Sequence, residues 1–328
     1  MATHPHRDHI GGLNKVLRTY RDHIAEYWDS GYRYTGADYQ RLVNEVDDLQ
    51  QARLAAVSVS HPAAGTTRFL DDVRITALAP SVRLRNRFDT WGVEVNDASI
   101  VLRVEFPVSW MPVTAADAEI PRRAKIVLGA DAQTHSWGQV MHDFPNLHGH
   151  DSAVVDVLRD TLDTTEPLRA HLFKVPHHAS KHGVNIELVE RINPRLTLVS
   201  SKANAPNYYF PHHVAQESIR EALQRVAATG KPRLRDWALG MLYTSDTVAG
   251  PPASFANDAD DAEQAENDFA PSNMVDPDGS DQATPLGSIA CVVRPTGSMK
   301  VWRFGDEPSS DVDLGQALRY LGPNVVKT

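Results

Sequence analysis

The chain has 328 residues, 41% apolar and 23% charged, with a net charge of −9, the proportions of a soluble globular chain able to bury one substantial core. That charge leaves no basic field for holding nucleic acid non-specifically, and a single cysteine, Cys291, excludes an intramolecular disulfide and any thiolate zinc site. No apolar run approaches the ~18 residues of a membrane span and no secretory apolar segment exists, so a cytoplasmic protein is expected.

The first segment in chain order is also the richest in chemistry. Thr3-His4-Pro5-His6-Arg7-Asp8-His9-Ile10-Gly11-Gly12 places three histidines and one aspartate within six positions and then a glycine pair. Imidazole nitrogen and carboxylate oxygen are the donors that zinc and similar borderline metals accept. In a compact turn His4 and His6 can face one metal while Asp8 and His9 face a second, and further ligands must come from later in the chain. After Gly12, the residues Leu13, Val16, Leu17, Tyr20, Ile24, Tyr27 and Trp28 recur at intervals of three and four, which predicts one helix ended by Gly31. A second helix is predicted over about 37–55, with Leu42, Val46, Leu49 and Leu54 inward. Both helices are expected to pack behind the His-rich turn.

From about residue 66 the chain reads as strands. Val73–Leu78, Ser99–Phe106, Lys125–Leu128, Leu172–Val175 and Leu196–Ser200 alternate or run apolar, with helices predicted around 151–163, 184–192 and 214–228. Several strands run into polar residues, the way a metal site is built on a rigid sheet. Asp131 follows one strand directly, where a carboxylate either reaches such a site or caps the helix beginning near Thr134. His177 and His178 follow another strand, and an adjacent pair there points to function. Lys174 and Lys181 are candidates for touching an anionic substrate. No Lys or Arg appears between Arg235 and Arg294, and residues 257–282 carry nine acidic side chains, so 248–286 reads as a solvated acidic loop. Ser288–Arg294 and Ser298–Phe304 flank Pro295-Thr296-Gly297 as a β-hairpin, with Cys291 as a buried strand thiol, and Leu239–Tyr243 is expected to pair with that hairpin.

The segment Thr3–Gly12 resembles the signature of the metallo-β-lactamase-fold hydrolases. Three further segments follow: Asn96-Asp97-Ala98-Ser99-Ile100-Val101-Leu102, Val127-Leu128-Gly129-Ala130-Asp131-Ala132, and Lys174-Val175-Pro176-His177-His178-Ala179-Ser180. Their order resembles the hydrolase domain of the ComEC-type DNA-uptake (competence) proteins and their soluble relatives. Arg74–Ser81, Asn204–Tyr208 and Phe210-Pro211-His212 sit where that group carries comparable segments, and the resemblance runs from residue 3 to about 245.

The resemblance implies an α/β (α+β) fold, the αββα sandwich with metals at one edge of its paired sheets. It divides the chain into a hydrolase domain over 1–247, the acidic loop 248–286, and a terminal hairpin and short helix over 287–328 that pack on the domain. His4 and His6 are implied to bind the first metal, Asp8 and His9 the second, and Asp131 both. One of His177 and His178 completes the second site while the other faces substrate, and the sequence leaves open which. Two Zn2+ per chain are expected, with Mn2+ as a substitute. Asp8 and the His177–His178 pair are implied to be catalytic in metal-dependent hydrolysis of an anionic small-molecule or nucleic-acid phosphoester. Asn96, Ser99, Lys174, Ser180 and His212 are the implied substrate contacts.

The segment departs from the family at Ala130 and Ala179, where glycine is usual, each adding one methyl. The histidine that many relatives supply between the first motif and the aspartate has no counterpart, and the Asn96–Ser99 segment occupies that region. Relatives carry strands before the His-rich turn, where this chain has Met1, Ala2 and Thr3. The chain is therefore expected either to be truncated at its N-terminus or to have the missing layer supplied by a second copy or a partner subunit. The rival expectation is a catalytically impaired relative acting as a binding or assembly module.

Overall fold

A computed structural model describes residues 1–52, 57–88, 93–106, 124–147, 153, 166–201, 210–228, 241–243, 289–294, 299–303 and 326–327. Leu54 of the second predicted helix, the predicted helix at 151–163 apart from residue 153, the Asn204–Tyr208 segment, the acidic loop 248–286, the hairpin turn Pro295–Gly297 and the short terminal helix lie outside these residues.

Residues alternate faces along a strand, and here that alternation sorts two cores onto the two sides of one sheet. Its seven strands, in spatial and chain order, are β3 (Thr67–Leu70), β4 (Val73–Ala79), β5 (Val101–Phe106), β6 (Ala124–Leu128), β7 (Leu172–Lys174), β8 (Leu196–Val199) and β9 (Met241–Tyr243). The pairs from β3 to β6 are antiparallel and those from β6 to β9 parallel, so this is a mixed sheet. Parallel neighbours require crossover connections. A short helix, α4 (Val82–Arg85), follows β4, and the helices α5 (Thr134–Asp143), α6 (Ile186–Ile192) and α7 (His213–Ala228) lie in those connections. Trp137, Val140, Leu188, Ile192 and Ile219 from these helices bury against Val101, Val127, Phe173 and Val199 on one face of the sheet.

The intervening strand residues point the other way. Ala124, Leu172 and Leu196 pack with Met299 and Val301, and with Ile289, Cys291 and Val293. These belong to β10 (Ile289–Val293) and β11 (Met299–Arg303), an antiparallel pair extended by β12 (Val326–Lys327). The predicted hairpin is thus present and lies across the second face of the sheet, and Cys291 is half-buried there. Leu239–Tyr243 does not join it. Its strand portion, β9, pairs in parallel with β8 at the end of the main sheet, with Leu198 opposite Leu242. An α-helical crossover returns the chain to that open edge, which a strand bound to the distant hairpin could not reach.

The N-terminal third also departs from expectation. The helix after Gly12 stops early: α2 (Leu13–Thr19) is followed by a 3-10 turn at Arg21–His23, and Tyr27 and Trp28 lie in a strand, β1 (Glu26–Trp28). Three-four spacing carried by aromatic and β-branched residues is ambiguous over so few turns, and pairing with β2 (Ser58–Ser60) decided it. The strand puts successive side chains on opposite faces. Tyr27 joins Leu42, Val46 and Leu49 of α3 (Ala37–Ala52), while Trp28 packs on Ala77, Ile100 and Leu102 of the main-sheet region. The small parallel pair β1–β2 therefore separates α3 from the main sheet. Ile10 and Leu17 enter the same cluster as α3, so both helices do sit behind the His-rich turn.

Among the described residues no helix is long and apolar enough to cross a membrane. Leu196→Ala should destabilise the chain by about 2–5 kcal/mol in urea unfolding, the usual range for an emptied core leucine site, because Leu196 is 1% exposed between β11 and the sheet. A loss below ~1 kcal/mol would show that the hairpin does not cover this face.

Candidate metal centre

The parallel strands deliver their carboxyl ends to one edge, and the chemistry collects there. Asp131 follows β6, the His177–His178 turn follows β7, and Asn96–Ser99 enters β5 from the same edge. The His-rich turn arrives from outside the sheet. Its residues Arg7–Ile10 form a single helical turn, α1, with buried Ile10 as its anchor in the α3 cluster. Two backbone hydrogen bonds tie the turn down on its N-terminal side: Ala2 N–H donates to Trp28 O at 2.8 Å, and Ile100 N–H to Thr3 O at 2.9 Å.

Four side chains converge at the edge. One donor atom each from Asp8, His9, Asp131 and His178 lie within 4.8 Å of one another. His9 Nε2 is 3.0 Å from Asp131 Oδ2 and 3.2 Å from Asp8 Oδ2. His178 Nε2 is 3.6 Å from Asp8 Oδ2 and 3.9 Å from Asp131 Oδ2. The other nitrogens of both rings are held from behind. His178 Nδ1 lies 2.6 Å from the Ser200 carbonyl, and His9 Nδ1 lies 3.2 Å from Thr3 Oγ1. A carbonyl accepts only, so it fixes the proton on His178 Nδ1 and turns the Nε2 lone pair into the cluster, as second partners of metal-binding histidines do.

A second set of atoms adjoins the first. His4 Nε2, His6 Nε2 and Asp131 Oδ1 are buried without a hydrogen-bond partner among the described residues. Buried polar atoms in folded chains are nearly always partnered, so three together point to something that they hold in common. The His4 and His6 rings meet edge to face, with centroids 4.9 Å apart. Ser99 Oγ sits 3.3 Å from His4 Nδ1 and accepts from Asp131 N–H at 3.3 Å, fastening both groups. Asp8, His9, Asp131 and His178 could hold a borderline divalent cation, and the buried nitrogens of His4 and His6 lie beside that set as further donors of the same kind.

Electrostatics agree with that fit. Burial pushes His4 well below the ordinary imidazole value and lowers His6, keeping both neutral with lone pairs to offer. Burial alone would raise Asp8 and Asp131. The contacts of His178 and His9 at Asp8, and of His9 above all at Asp131, outweigh it and hold both carboxyls well below the usual range. Burial works against charge on His9, but the Asp131 and Asp8 carboxylates overcome it and push His9 up to about 10. Without metal, His9 is thus the cation that keeps two carboxylates together.

The remaining predicted residues surround this cluster. Asp131 does not cap α5: Asp97 Oδ1 accepts from Ser136 N–H in the helix's first turn. His177 is 1% exposed, its Nε2 3.5 Å from Asn96 Nδ2 and its Nδ1 3.3 Å from Gln133 Nε2. A neutral imidazole accepts at one nitrogen and donates at the other, so one of these amides presents its oxygen. Lys174 Nζ donates to Ala130 O at 3.0 Å and lies 3.9 Å from Asp131 Oδ1; burial lowers its pKa against the pull of Asp131 and Asp8. Ser99, Ser180 and His212 are fully buried. Ser180 Oγ accepts from His182 N–H, and His212 Nδ1 from Lys181 N–H, while Lys181 itself is half-buried.

Three contributors had no role assigned from the sequence. Thr3 holds His9 and also approaches His4 Nδ1 at 3.3 Å. Phe210 stacks on His178 with centroids 5.7 Å apart and meets His177 at 5.3 Å, a cover that limits water at the pair. Tyr34 meets the His6 ring edge to face at 5.8 Å, and a Cβ at Gly36 would lie 2.6 Å from the Tyr34 ring. The Tyr34-x-Gly36 spacing was the available signal, because only glycine lets the ring fold back on the chain.

Backbone strain concentrates here. Ala130, His177, His178 and Ala179 have φ of 46°, 47°, 52° and 66°, the left-handed region that costs side-chain-bearing residues about 1–2 kcal/mol each. The expectation that Ala130 and Ala179 add only a methyl is corrected: the requirement at both is conformational. The turns persist because the Ala130 carbonyl accepts from His177 N–H at 2.9 Å as well as from Lys174. Gly129 is needed for space, since a Cβ there would fall 2.8 Å from Lys174 O.

No protein-family model matches the chain, and no curated protein matches it.

Ala130→Gly should raise stability by about 0.5–1 kcal/mol in urea unfolding, relief of left-handed strain outweighing the unfolded-state entropy of glycine. Ala179→Gly should come out near neutral, because it also removes a fully buried methyl, worth about 0.8 kcal/mol. Destabilisation at Ala130 would show that its φ is not strained.

Proposed function

We propose that the chain is a metal-dependent hydrolase with a paired metal site, acting on phosphoesters. The observation that carries this reading is the convergence of Asp8, His9, Asp131 and His178 within 4.8 Å, beside the partnerless nitrogens of His4 and His6. The packing supports the αββα sandwich as the finer fold: α3, the small sheets, the main sheet and the crossover helices succeed one another through the clusters described above. The phosphoester preference rests on the resemblance to ComEC-type domains.

When bound, a pair of divalent cations makes water nucleophilic near neutral pH and polarises the scissile group. The chain's own residues do the rest. Asp8 is ionised at neutral pH and stands beside His9 and His178, placed to orient the attacking water and take its proton. His178 is the ligand of the pair, since its Nε2 faces both carboxylates. His177 is a positioning residue, buried between Asn96 and Gln133. Lys174 steadies the Ala130–Asp131 turn from within, a supporting role in place of substrate contact.

Two tests follow. The full chain should bind about two Zn2+ or Mn2+ and hydrolyse bis-p-nitrophenyl phosphate in a chelator-sensitive way; Asp131→Ala should lose metal and turnover together, by more than about 100-fold. Substoichiometric metal without chelator-sensitive turnover overturns the reading and favours the binding-module alternative. Metal uptake at pH 7 should also release the His9 proton, because a group held up to about 10 is protonated there and must lose its proton to become a ligand. Calorimetry in buffers of different ionisation enthalpy should read about one proton released per chain; no buffer dependence would remove His9 from the ligand set.

A further inference from the structure

A second polar site lies away from the metal cluster. A cavity of about 210 Å3 sits between α3 and the small parallel sheet β1–β2, lined by Tyr27, Asp29, Tyr39, Asp47, His61 and the rim residue Arg33, among others. Asp29 and His61 directly follow β1 and β2, and the carboxyl ends of parallel strands joined by a helix are where open α/β units bind ligands. The loop after β1 divides its residues between two sides. Gly31 and Arg33 line the cavity, while Tyr32 packs on Phe88 and Tyr34 on His6.

The lining sets two carboxylates beside two phenols, with the exposed Arg33 at the rim as its guanidinium. Asp29 Oδ1 accepts from Gly31 N–H at 2.7 Å and lies 2.6 Å from His61 Nδ1. In that pairing His61 Nδ1–H donates to the Asp29 carboxylate. Asp29 is 8% exposed and Tyr27 4% exposed. Tyr39 is half-buried and Asp47 stands exposed at the mouth, both on α3 and both lining the cavity. The field inside is negative. Burial chiefly, and then Asp29, push Tyr39 up to about 12, and the offset from Arg33 is smaller than the push from Asp29. Burial and Asp29 likewise raise Tyr27. Asp29 also favours the charged form of the Met1 amine, against the larger effect of burial.

Two phenol rings and two carboxylates in a cavity of this size suit an organic cation. Such a ligand can spend its N–H donors on the carboxylates and rest its charge on the ring faces. We propose that this cavity is a binding site for a small organic ammonium compound, held by Asp29, Tyr27, Tyr39 and Asp47. A free anion is disfavoured by the same carboxylates, and a neutral diol brings no charge to match them. The site does not depend on the metal centre or on its proposed chemistry.

The test uses the full chain with 1,4-diaminobutane as probe, against 1,4-butanediol and succinate of similar length, in titration calorimetry and thermal unfolding. Saturable binding and a raised Tm are expected with the diamine alone. Asp29→Asn, which keeps an acceptor for Gly31 N–H, should weaken binding by more than about tenfold. Tyr39→Phe and Asp47→Asn should weaken it severalfold, and His178→Ala should leave it unchanged. Absence of diamine binding at millimolar concentration, equal binding of the diol, or a preference for succinate overturns the proposal. So does full affinity in a folded Asp29→Asn chain; should that variant not fold, unchanged affinity in both Tyr39→Phe and Asp47→Asn decides against it.

Discussion

His9 between Asp8 and Asp131 is the contact on which the rest of the structure turns. It joins a helical turn near the start of the chain to the end of a central strand, across 122 residues of sequence. Two carboxylates in a poorly solvated site repel each other, and burial would drive protons onto both. The imidazolium between them reverses that tendency, and a divalent cation with the same neighbours would do so more strongly. Everything that positions the His-rich turn serves this meeting. Ile10 sinks into the α3 cluster, Thr3 supports His9, and the backbone bonds at Trp28 and Ile100 fix the approach.

The sheet meets the turn by accepting strain. Three consecutive left-handed residues at His177–Ala179 and a fourth at Ala130 put both histidines and Asp131 at the strand ends. Conformations of this kind persist where the surroundings over-determine them, and they gather at functional sites. The Ala130 carbonyl, shared between His177 N–H and Lys174 Nζ, is that over-determination in atomic form. Glycine would remove the strain at Ala130 and Ala179, yet alanine also narrows the backbone choices of the unfolded chain.

Loop 29–36 faces two ways. Tyr34 reaches the His6 ring of the candidate metal cluster, and Asp29, Gly31 and Arg33 line the cavity against α3. Neither use was legible beforehand, because Tyr32-Arg33-Tyr34 carries no periodicity and its roles depend on which element lies on each side. The same limitation explains Tyr27 and Trp28. Their spacing fits a helix as well as a strand, and only pairing with Ser58–Ser60, some thirty residues later, separates the two.

What the sequence determined by itself was chemistry and order. The His-x-His-x-Asp-His turn, Asp131 and the His177–His178 pair announced metal-type donors, and the apolar runs before the later residues announced strands that end beside them. Most strands and the α3, α6 and α7 helices lie close to where the pattern put them. The tertiary structure decided assignments among equals. It turned His178 into the cluster and His177 onto Asn96 and Gln133, gave the cap of α5 to Asp97, and sent β9 to β8 instead of the hairpin. Two adjacent histidines have the same composition and the same strand before them. They differ only in direction, and direction at a strand end is set by backbone angles and by distant partners such as the Ser200 carbonyl.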